Sequence, residues 1–308
     1  MLARLIALVV SVLLMHGGVS AQNTPQSSPH AAAAVTEENV AKYGSNPVVG
    51  KTFVHDGIQL YYEVYGVGQP LLLVHGNGGS IATFTAQIDY FRKHYKVIAM
   101  DSRDQGRSAD SPGRITYEKM TDDLAALLDH LQTGPVYVLG WSDGGIEALL
   151  LAIRHPEKVS KIAAMAANLY PGGLAPEILA WIESTKTEAM KAALANPEEK
   201  SARREAKLMQ MMLDEPHIAP QALEAITAPT LVLSSDHDAI RDEHTLEIYH
   251  HLSNGQLCIF PNATHMIPYD DPALFNSTID RFFREPFVPK DRLKDMLKSY
   301  EAMSAAQP

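Results

Sequence analysis

The sequence predicts an α/β fold in which a mostly parallel, twisted sheet is covered by helices on both faces. Apolar runs of strand length alternate with helical stretches along the chain, which is the pattern of a parallel sheet with crossover helices. Most of these runs are apolar throughout, as expected for strands that are buried on both faces. One long stretch with helical propensity and no strand pattern interrupts this order, and it predicts a small helical insertion.

Seven runs have the length and composition of strands, and four stretches between them are typical of helices. The runs QLYYEVYG and PLLLVHG are expected to pair with each other, and the others are YKVIAMD, VYVLGWS, KIAAMAA, TLVLSSD and QLCIFPN. The helical stretches are YEKMTDDLAALLDHL, GGIEALLLAIRHP, EHTLEIYHHL and PALFNSTIDRFF. The α/β core is therefore expected at residues 47–170 and 227–308, and the helical insertion at residues 171–226.

The composition is that of an ordinary globular protein. Of the 308 residues, 46% are apolar and 20% are charged, which is enough to build a full core. The formal net charge of -10 disfavours nucleic acid as a partner, because phosphate binding requires a basic surface.

The first 21 residues have the pattern of a secretory signal peptide. Arg4 supplies a positive start, an apolar segment follows from Leu5 to Met15, and Val19-Ser20-Ala21 is a small-residue cleavage site. The apolar segment is too short to span a bilayer, so no stable membrane anchor is expected after cleavage. Residues 22–46, rich in Gln, Ser, Pro and Ala, predict a flexible lead-in.

The expected location is therefore outside the cytoplasm. The sequence at Asn262 matches a glycosylation acceptor, but a glycan there would crowd the nearby His265, a candidate catalytic residue. This observation favours a bacterial source, and with it a periplasmic or secreted protein.

A serine between glycines follows the fourth strand-like run. Gly140-Trp141-Ser142-Asp143-Gly144 fits the G-x-S-x-G pattern, with an apolar strand before it and a helix after it. In such a nucleophile elbow the serine has strained backbone geometry, and side chains at Gly140 or Gly144 would collide with neighbouring elements. The turn exposes the Ser142 hydroxyl, and the Asp143 backbone N–H, at a helix N-terminus, is a candidate donor to an oxyanion.

A serine nucleophile needs a base and a carboxylate that orients the base. Asp236 and Asp238 follow one strand-like run, and His265 follows the next. The carboxyl ends of parallel strands lie at one sheet edge, so a Ser142–His265–Asp238 triad is predicted. Asp238 is favoured over Asp236 as the acid because it lies further past the strand, and Asp236 is expected to bond its own loop.

The second oxyanion donor is expected in the glycine-rich stretch His75-Gly76-Asn77-Gly78-Gly79. Its backbone can approach a substrate closely, and the Asn77 N–H is the candidate. A phosphate-binding loop is excluded because no Lys-Ser/Thr follows the glycines. His75 is expected to pack beneath this loop.

No metal site and no cofactor are expected. HExxH and other metal-ligand spacings do not occur in the sequence, and the predicted chemistry needs no cofactor. Candidate substrate-binding residues are Trp141 and Asp143 at the elbow and Met209 and Met212 in the insertion. The methionines have two interpretations: simple packing, or the adaptable ceiling of a pocket.

With the elbow, oxyanion loop, acid and base in this order, residues 50–283 resemble the α/β-hydrolase superfamily. The GWSDGG motif followed by a helix is similar to the valacyclovir-hydrolase/biphenyl-hydrolase-like group and to many bacterial esterases. The resemblance implies an α/β-hydrolase fold with residues 171–226 as a small helical cap. It also implies the nucleophile, acid and base roles for Ser142, Asp238 and His265, and the oxyanion role for Asn77 and Asp143.

The segment from Asp101 to Ser108 resembles the superfamily's D-x-R-G-x-G-x-S loop, which implies a structural role for Asp101 and Arg103. Asp104 replaces a glycine of that motif. Aspartate tolerates left-handed backbone better than most residues, so the turn is expected to survive. A serine at the elbow disfavours haloalkane dehalogenase and epoxide hydrolase chemistry, which uses an aspartate there.

The expected activity is hydrolysis of a small-molecule carboxylic ester through an acyl-enzyme. The same triad could serve a C–C bond hydrolase acting on a diketone, a lactonase or an amidase, and these alternatives stay open. A non-catalytic binding protein on a hydrolase scaffold is a further alternative. The substrate's acyl and alcohol groups and the oligomeric state are not predicted.

The Asp143 side chain has two interpretations. It can be an acid in the first helical turn that points to solvent and interacts with the helix dipole. By resemblance to the valacyclovir-hydrolase group, it can instead be the counter-charge for a cationic substrate such as an aminoacyl ester.

Overall fold

An eight-stranded sheet organises the protein in the computed structural model, which describes residues 43–289 and 292–305. The strand order is β1-β2-β4-β3-β5-β6-β7-β8, with β1–β2 and β2–β4 antiparallel and all other pairs parallel. The strands are β1 (Lys51–His55), β2 (Ile58–Tyr65), β3 (Gln69–Val74), β4 (Tyr95–Met100), β5 (Val136–Trp141), β6 (Val159–Met165), β7 (Thr230–His237) and β8 (Gly255–Thr264). The predicted fold class is therefore confirmed.

The sequence-based pairing of the first two runs is wrong. QLYYEVYG forms β2, but β2 pairs with β4 and with β1, whereas PLLLVHG, as β3, lies between β4 and β5. Strand β1 was not predicted, because its sequence KTFVH is short and mostly exposed. Adjacency in sequence suggested direct pairing, but β2 instead lies between β1 and β4 in the antiparallel part of the sheet.

Nine helices are described, and those of the core cover the two faces of the sheet. They are α1 (Thr85–Phe91), α2 (Tyr117–Leu131), α3 (Asp143–Arg154), α4 (Pro176–Ala195), α5 (Lys200–Asp214), α6 (Asp242–His251), α7 (Ile267–Asp270), α8 (Pro272–Arg284) and α9 (Arg292–Ala305). Helices α2, α3 and α6 share one apolar cluster, and α1 and α8 share another. No helix among the described residues is long and apolar enough to cross a membrane.

Strand periodicity divides the core into these two clusters. In β3, Leu72 and Val74 belong to the α2/α3 cluster, whereas Leu71 and Leu73 belong to the α1/α8 cluster. All four side chains are at most 1% exposed. A central strand with both faces buried therefore has to be apolar at every position, which is the feature that identified these strands in the sequence.

The signal peptide predicted at residues 1–21 lies outside the described residues, so export stays a prediction. The predicted lead-in, residues 22–46, overlaps the described chain only at 43–46, and these residues contact the core. The buried Glu63 carboxylate of β2 accepts hydrogen bonds from the backbone N–H groups of Gly44 and Asn46, at 2.8 and 2.9 Å. Tyr43 is also buried, so the ordered domain begins earlier than its composition indicated.

Residues 171–226, the predicted cap, contain α4, α5 and the 3₁₀ helices Pro171–Gly173 and Pro220–Ala225, and no strand. Helix α5 contributes to both clusters, with Leu208 and Met211 in the α2/α3 cluster and Met209 in the other. This insertion therefore packs on the core through apolar contacts.

Asp104 connects the loop after β4 to helix α5 of the cap. Asp104 has a φ of 61°, the left-handed conformation that the glycine of the motif would adopt more easily. Its buried carboxylate accepts hydrogen bonds from the Ser111 backbone, at 3.1 Å, and hydroxyl, and forms an ion pair with Lys207 of α5. The aspartate thus keeps the turn and adds a charged link that glycine could not supply.

We expect Lys207→Met to destabilise the protein by about 2 kcal/mol, because it leaves the Asp104 carboxylate buried without its cation. Urea denaturation would measure this loss, and limited proteolysis would show faster cleavage within residues 171–226. Lys191→Met is the matched control, since Lys191 on α4 is exposed and pairs only with the exposed Glu188. Equal, small losses for the two variants would contradict a stabilising role for this link.

Candidate active site

Ser142 lies in a strained turn between β5 and α3. Its φ of 59° and ψ of -121° are outside the regions that non-glycine residues normally occupy. A Cβ atom at Gly140 would overlap the Gly144 carbonyl oxygen, and one at Gly144 would overlap the Val74 carbonyl oxygen. The two glycines are thus required by close backbone approach, as the sequence pattern predicted.

The structure brings Ser142 and His265 together from distant parts of the chain. His265 Nε2 is 3.1 Å from Ser142 Oγ, and His265 Nδ1 is 2.7 Å from Asp238 Oδ1. Ser142 follows β5, Asp238 follows β7 and His265 follows β8, all at the carboxyl edge of the parallel sheet. The imidazole is 24% exposed and thus partly accessible to solvent, whereas the Asp238 side chain is fully buried.

The Asp238 carboxylate is held by several donors besides His265. Burial alone would raise the Asp238 pKa. The hydrogen bond from His265, the His265 charge and the backbone N–H groups of Ile240 and Ser235 outweigh burial and lower the Asp238 pKa below its ordinary value. The Ala239 N–H adds a bond of 2.7 Å. Asp238 is therefore an ionised acceptor with fixed orientation.

Asp236, the competing acid, is oriented away from the imidazole. Its oxygens accept hydrogen bonds from the backbone N–H groups of Asn262 and Ala263, at 2.7 and 3.0 Å. It therefore bonds the end of β8 in addition to its own backbone N–H. Its side chain is 41% exposed.

The glycine-rich loop after β3 lies directly against the elbow. A Cβ atom at Gly76 would be 3.0 Å from Ser142 Cβ, so any larger residue would crowd the nucleophile. Beneath the loop, buried His75 accepts a hydrogen bond at Nε2 from the Ser102 N–H and bonds the Gly76 carbonyl through Nδ1, at 3.1 and 2.8 Å. Burial lowers the His75 pKa, which favours the neutral ring that this pattern requires.

The Asp143 side chain does not point to solvent, so that part of the first interpretation is wrong, although Asp143 is an acid in the first turn of α3. The residue is only 2% exposed, and its carboxylate lies between two donors. Asn77 Nδ2 donates to Oδ2 and the Tyr117 hydroxyl donates to Oδ1, both at 2.9 Å. Burial raises the Asp143 pKa to about 6, although these two bonds and the charge of His265 act in the opposite direction.

Two residues of this site were missed by sequence reasoning. Tyr117 opens α2, and nothing in its surrounding sequence indicates that its hydroxyl reaches the elbow. Glu147, one turn after Asp143, is fully buried, and within the described part of the chain neither of its carboxylate oxygens has a hydrogen-bond partner. A single acid within the apolar run GGIEALLLAI was a sign of this environment, since a solvent-facing stripe would have contained more polar residues. Burial raises the Glu147 pKa well above its ordinary value.

Trp141 links the elbow to the loop that carries the histidine. Its indole Nε1–H donates to the His265 carbonyl oxygen at 3.0 Å, and the two rings are 5.5 Å apart. The Tyr269 ring packs edge-on against the Trp141 indole, with 5.5 Å between the ring centroids. Trp141 is thus a support for the His265 backbone, which the sequence did not indicate.

The cap contributes apolar side chains to the same cluster as Trp141. Met209 is buried and Met212 half-buried in this cluster, together with residues of α4 and of the adjoining loops: Leu174, Ile178, Leu179, Trp181 and Ile182. Met209 and Met212 therefore pack in the α1/α8 cluster, and their role as the ceiling of a substrate pocket stays a prediction. Among residues 43–289 and 292–305, no three His, Cys, Asp or Glu side chains form a group that could hold a metal ion.

We expect the stability difference between Asp143→Asn and the wild type to depend on pH. Because the folded-state pKa of Asp143 is raised to about 6 from 3.8, the folded protein binds more protons than the unfolded chain between these values. Wild-type stability from this group is therefore lost as pH rises through that window. The variant cannot ionise at this position, so it should gain up to about 3 kcal/mol relative to the wild type between about pH 4 and pH 7.

Urea denaturation at a series of pH values would measure this difference. Asp236→Asn is a control of opposite sign, because the backbone N–H groups of Ala263 and Asn262 lower the Asp236 pKa and the wild-type carboxylate is then stabilising at higher pH. A pH-independent difference for Asp143→Asn would show that Asp143 does not change its protonation in this range.

Comparison with known proteins agrees with this geometry. Residues 69–211 match the family model described as the alpha/beta hydrolase fold. Serine hydrolase BPHL of Mus musculus is 28% identical over 80% of this chain and 90% of that protein. Pimeloyl-[acyl-carrier protein] methyl ester esterase of Vibrio cholerae is 28% identical over 71% of this chain and 90% of that protein.

A solved structure extends the comparison to three dimensions. A thermophilic esterase from Thermogutta terrifontis superposes with a TM-score of 0.63 at 26% identity, covering 78% of this chain and 98% of that chain. The sheet order, the elbow and these matches lead to one conclusion: the chain is an enzyme of the α/β-hydrolase superfamily.

Proposed function

We propose that this protein is a serine hydrolase that cleaves a small-molecule carboxylic ester through an acyl-enzyme. The observation that carries the proposal is the hydrogen-bonded series Ser142–His265–Asp238, with distances of 3.1 and 2.7 Å. These distances are within the range for proton transfer between a nucleophile and its base, and for orientation of the base by a third group.

Acylation begins with the Ser142 hydroxyl. Its proton passes to His265 Nε2 as Oγ attacks the ester carbonyl carbon, and the carbonyl oxygen becomes an oxyanion. The Asp238 carboxylate accepts from Nδ1–H, which keeps Nε2 available as the base and stabilises the imidazolium that forms. When the tetrahedral intermediate collapses, His265 gives the proton to the leaving alcohol.

Deacylation uses the same groups with water as the nucleophile. His265 takes a proton from water, the hydroxide attacks the acyl carbon, and the proton then returns to Ser142 Oγ as the acid leaves. We assign the oxyanion to the backbone N–H groups of Asn77 and Asp143. Asn77 is in the loop that touches the elbow, and Asp143 is the first residue of α3, where the helix dipole favours negative charge. Each such donor is typically worth about 3 kcal/mol of transition-state stabilisation.

An ester is the preferred substrate class for two reasons. Relatives that align over most of their length carry the names serine hydrolase and methyl ester esterase. Met209, Met212 and Trp181 of the cap belong to the same α1/α8 cluster as Trp141, and such apolar side chains suit a neutral, apolar acyl or alcohol group. Diketone, lactone and amide hydrolysis would use the same triad and are separated from ester hydrolysis by activity.

We expect Ser142→Ala and His265→Ala each to lower kcat by at least about 10⁴-fold on p-nitrophenyl esters, because each removes an obligatory proton-transfer partner. Asp238→Asn should lower kcat about 10³- to 10⁴-fold by favouring the wrong histidine tautomer. Asp236→Asn and His237→Ala are matched controls next to Asp238, and both should retain wild-type activity.

A fluorophosphonate probe should label Ser142 in the wild type only when the protein is folded. Absence of labelling would support the binding-protein alternative.

A substrate panel tests the finer assignment. We expect kcat/KM to be higher for neutral esters than for charged ones, because the cap side chains of the α1/α8 cluster are apolar. We also expect it to be lower for lactones, amides and ring-fission diketones with the same acyl group, since the proposed substrate class is an ester. Initial rates under identical conditions would provide the comparison, with Ser142→Ala as background. A diketone or lactone that exceeds the matched ester would replace the ester assignment while keeping the triad.

A further inference from the structure

The two proposed oxyanion donors come from different parts of the chain. Asn77 follows β3 and Asp143 begins α3, so the spacing of their backbone N–H groups depends on how the loop after β3 docks against the elbow. This loop contains three glycines among residues 76–79, and a glycine backbone can adopt many conformations. A feature that ties the loop to the elbow would therefore keep the two donors at a constant separation.

A side-chain hydrogen bond makes that tie. Asn77 Nδ2 donates to Asp143 Oδ2 at 2.9 Å, so the side chains of the two donor residues are bonded to each other. The tie is braced from the other side, because the fully buried Tyr117 hydroxyl donates to Asp143 Oδ1 at 2.9 Å. Tyr117 is itself anchored, since its backbone N–H donates to Glu215 Oε2 at 3.1 Å.

The counter-charge interpretation of Asp143 does not fit these contacts. Both carboxylate oxygens already accept a hydrogen bond within the protein, and the residue is 2% exposed. A substrate ammonium would have to displace Asn77 or Tyr117 to pair with it. A carboxylate near a developing oxyanion also opposes that negative charge, so electrostatics alone does not account for an acid at this position.

We propose that the Asp143 side chain is a positioning residue, which holds Asn77 against the elbow and thereby sets the separation of the two oxyanion donors. The assignment rests on the proposed serine-hydrolase function. It makes a second prediction about substrates: Asp143 should matter equally for neutral and for amino-bearing esters, because it acts on the protein's own loop and not on the substrate.

The test is a double-mutant cycle with Asp143→Ala and Asn77→Ala, assayed on a matched pair of esters with and without an α-amino group. Asn77→Ala removes the tie but keeps its backbone N–H, and Asn77 lies in a half-exposed loop where folding is least at risk. We expect each variant to lower kcat about 10- to 100-fold on both esters with little change in KM, because a misplaced donor weakens only transition-state binding. The double variant should lose no more than either single variant, since both remove the same tie.

Inhibition by a boronic acid that forms a tetrahedral adduct with serine gives a second readout. Its affinity should fall in parallel with kcat in both variants, because the adduct uses the oxyanion donors. Asp280→Asn is the matched control for general loss of a buried acid, because Asp280 accepts from the Tyr95 hydroxyl at 2.8 Å at the opposite end of the sheet. It should lower the melting temperature without changing kcat or boronate affinity.

Three results would overturn the proposal: unchanged kcat in Asn77→Ala, additive losses in the double variant, or an Asp143→Ala loss confined to the amino-bearing ester. Fluorophosphonate labelling of Ser142 in the wild type distinguishes the two levels of the hypothesis. If the wild type is labelled and turns over ester while Asn77→Ala is unaffected, only the positioning role fails. If the wild type is neither labelled nor active, the proposed function fails and this inference with it.

Discussion

The backbone turn at Ser142 is the constraint on which the rest of the site depends. A non-glycine residue at φ 59° and ψ -121° costs about 1–3 kcal/mol, and it persists only when its surroundings hold it. Those surroundings are backbone: the Gly140 and Gly144 positions approach neighbouring carbonyl groups so closely that no Cβ fits. The Ser142 N–H also donates to the Met165 carbonyl of β6 at 2.9 Å, which fixes the turn to the sheet.

The sheet and helix α3, which flank this turn, determine where the other residues of the site lie. The parallel strands β5, β7 and β8 end at one edge, so His265 contacts Asp238, 27 positions before it, and Ser142 Oγ, 123 positions before it. Trp141 sits in the same turn and holds the His265 carbonyl. A change in the elbow would therefore shift both the nucleophile and the support of its base.

The buried acids near the elbow reduce the stability of the folded protein when they are ionised. Asp143 and Glu147 lie one turn apart on α3, both buried, and burial raises the pKa of each. Among the residues that the structure describes, neither Glu147 oxygen has a hydrogen-bond partner, which is an energetic cost that a leucine would reduce. Asp123, by contrast, is paired with Arg103 at 2.6 Å and with His55 at 2.8 Å, so its burial is compensated.

The sequence by itself determined the local features of this protein. Fully apolar strands, the glycines around Ser142, and acid and base residues placed after successive strands each follow from backbone sterics or from burial on both faces, so neighbouring residues suffice to predict them. Only the tertiary structure decided the strand order, which placed β2 beside β4 and not beside β3. It also decided the direction of the Asp143 side chain and the contacts of Tyr117 and Asp104, because their partners Asn77, Asp143 and Lys207 lie on other elements. A side chain's partner across the fold depends on packing between elements, which no local pattern encodes.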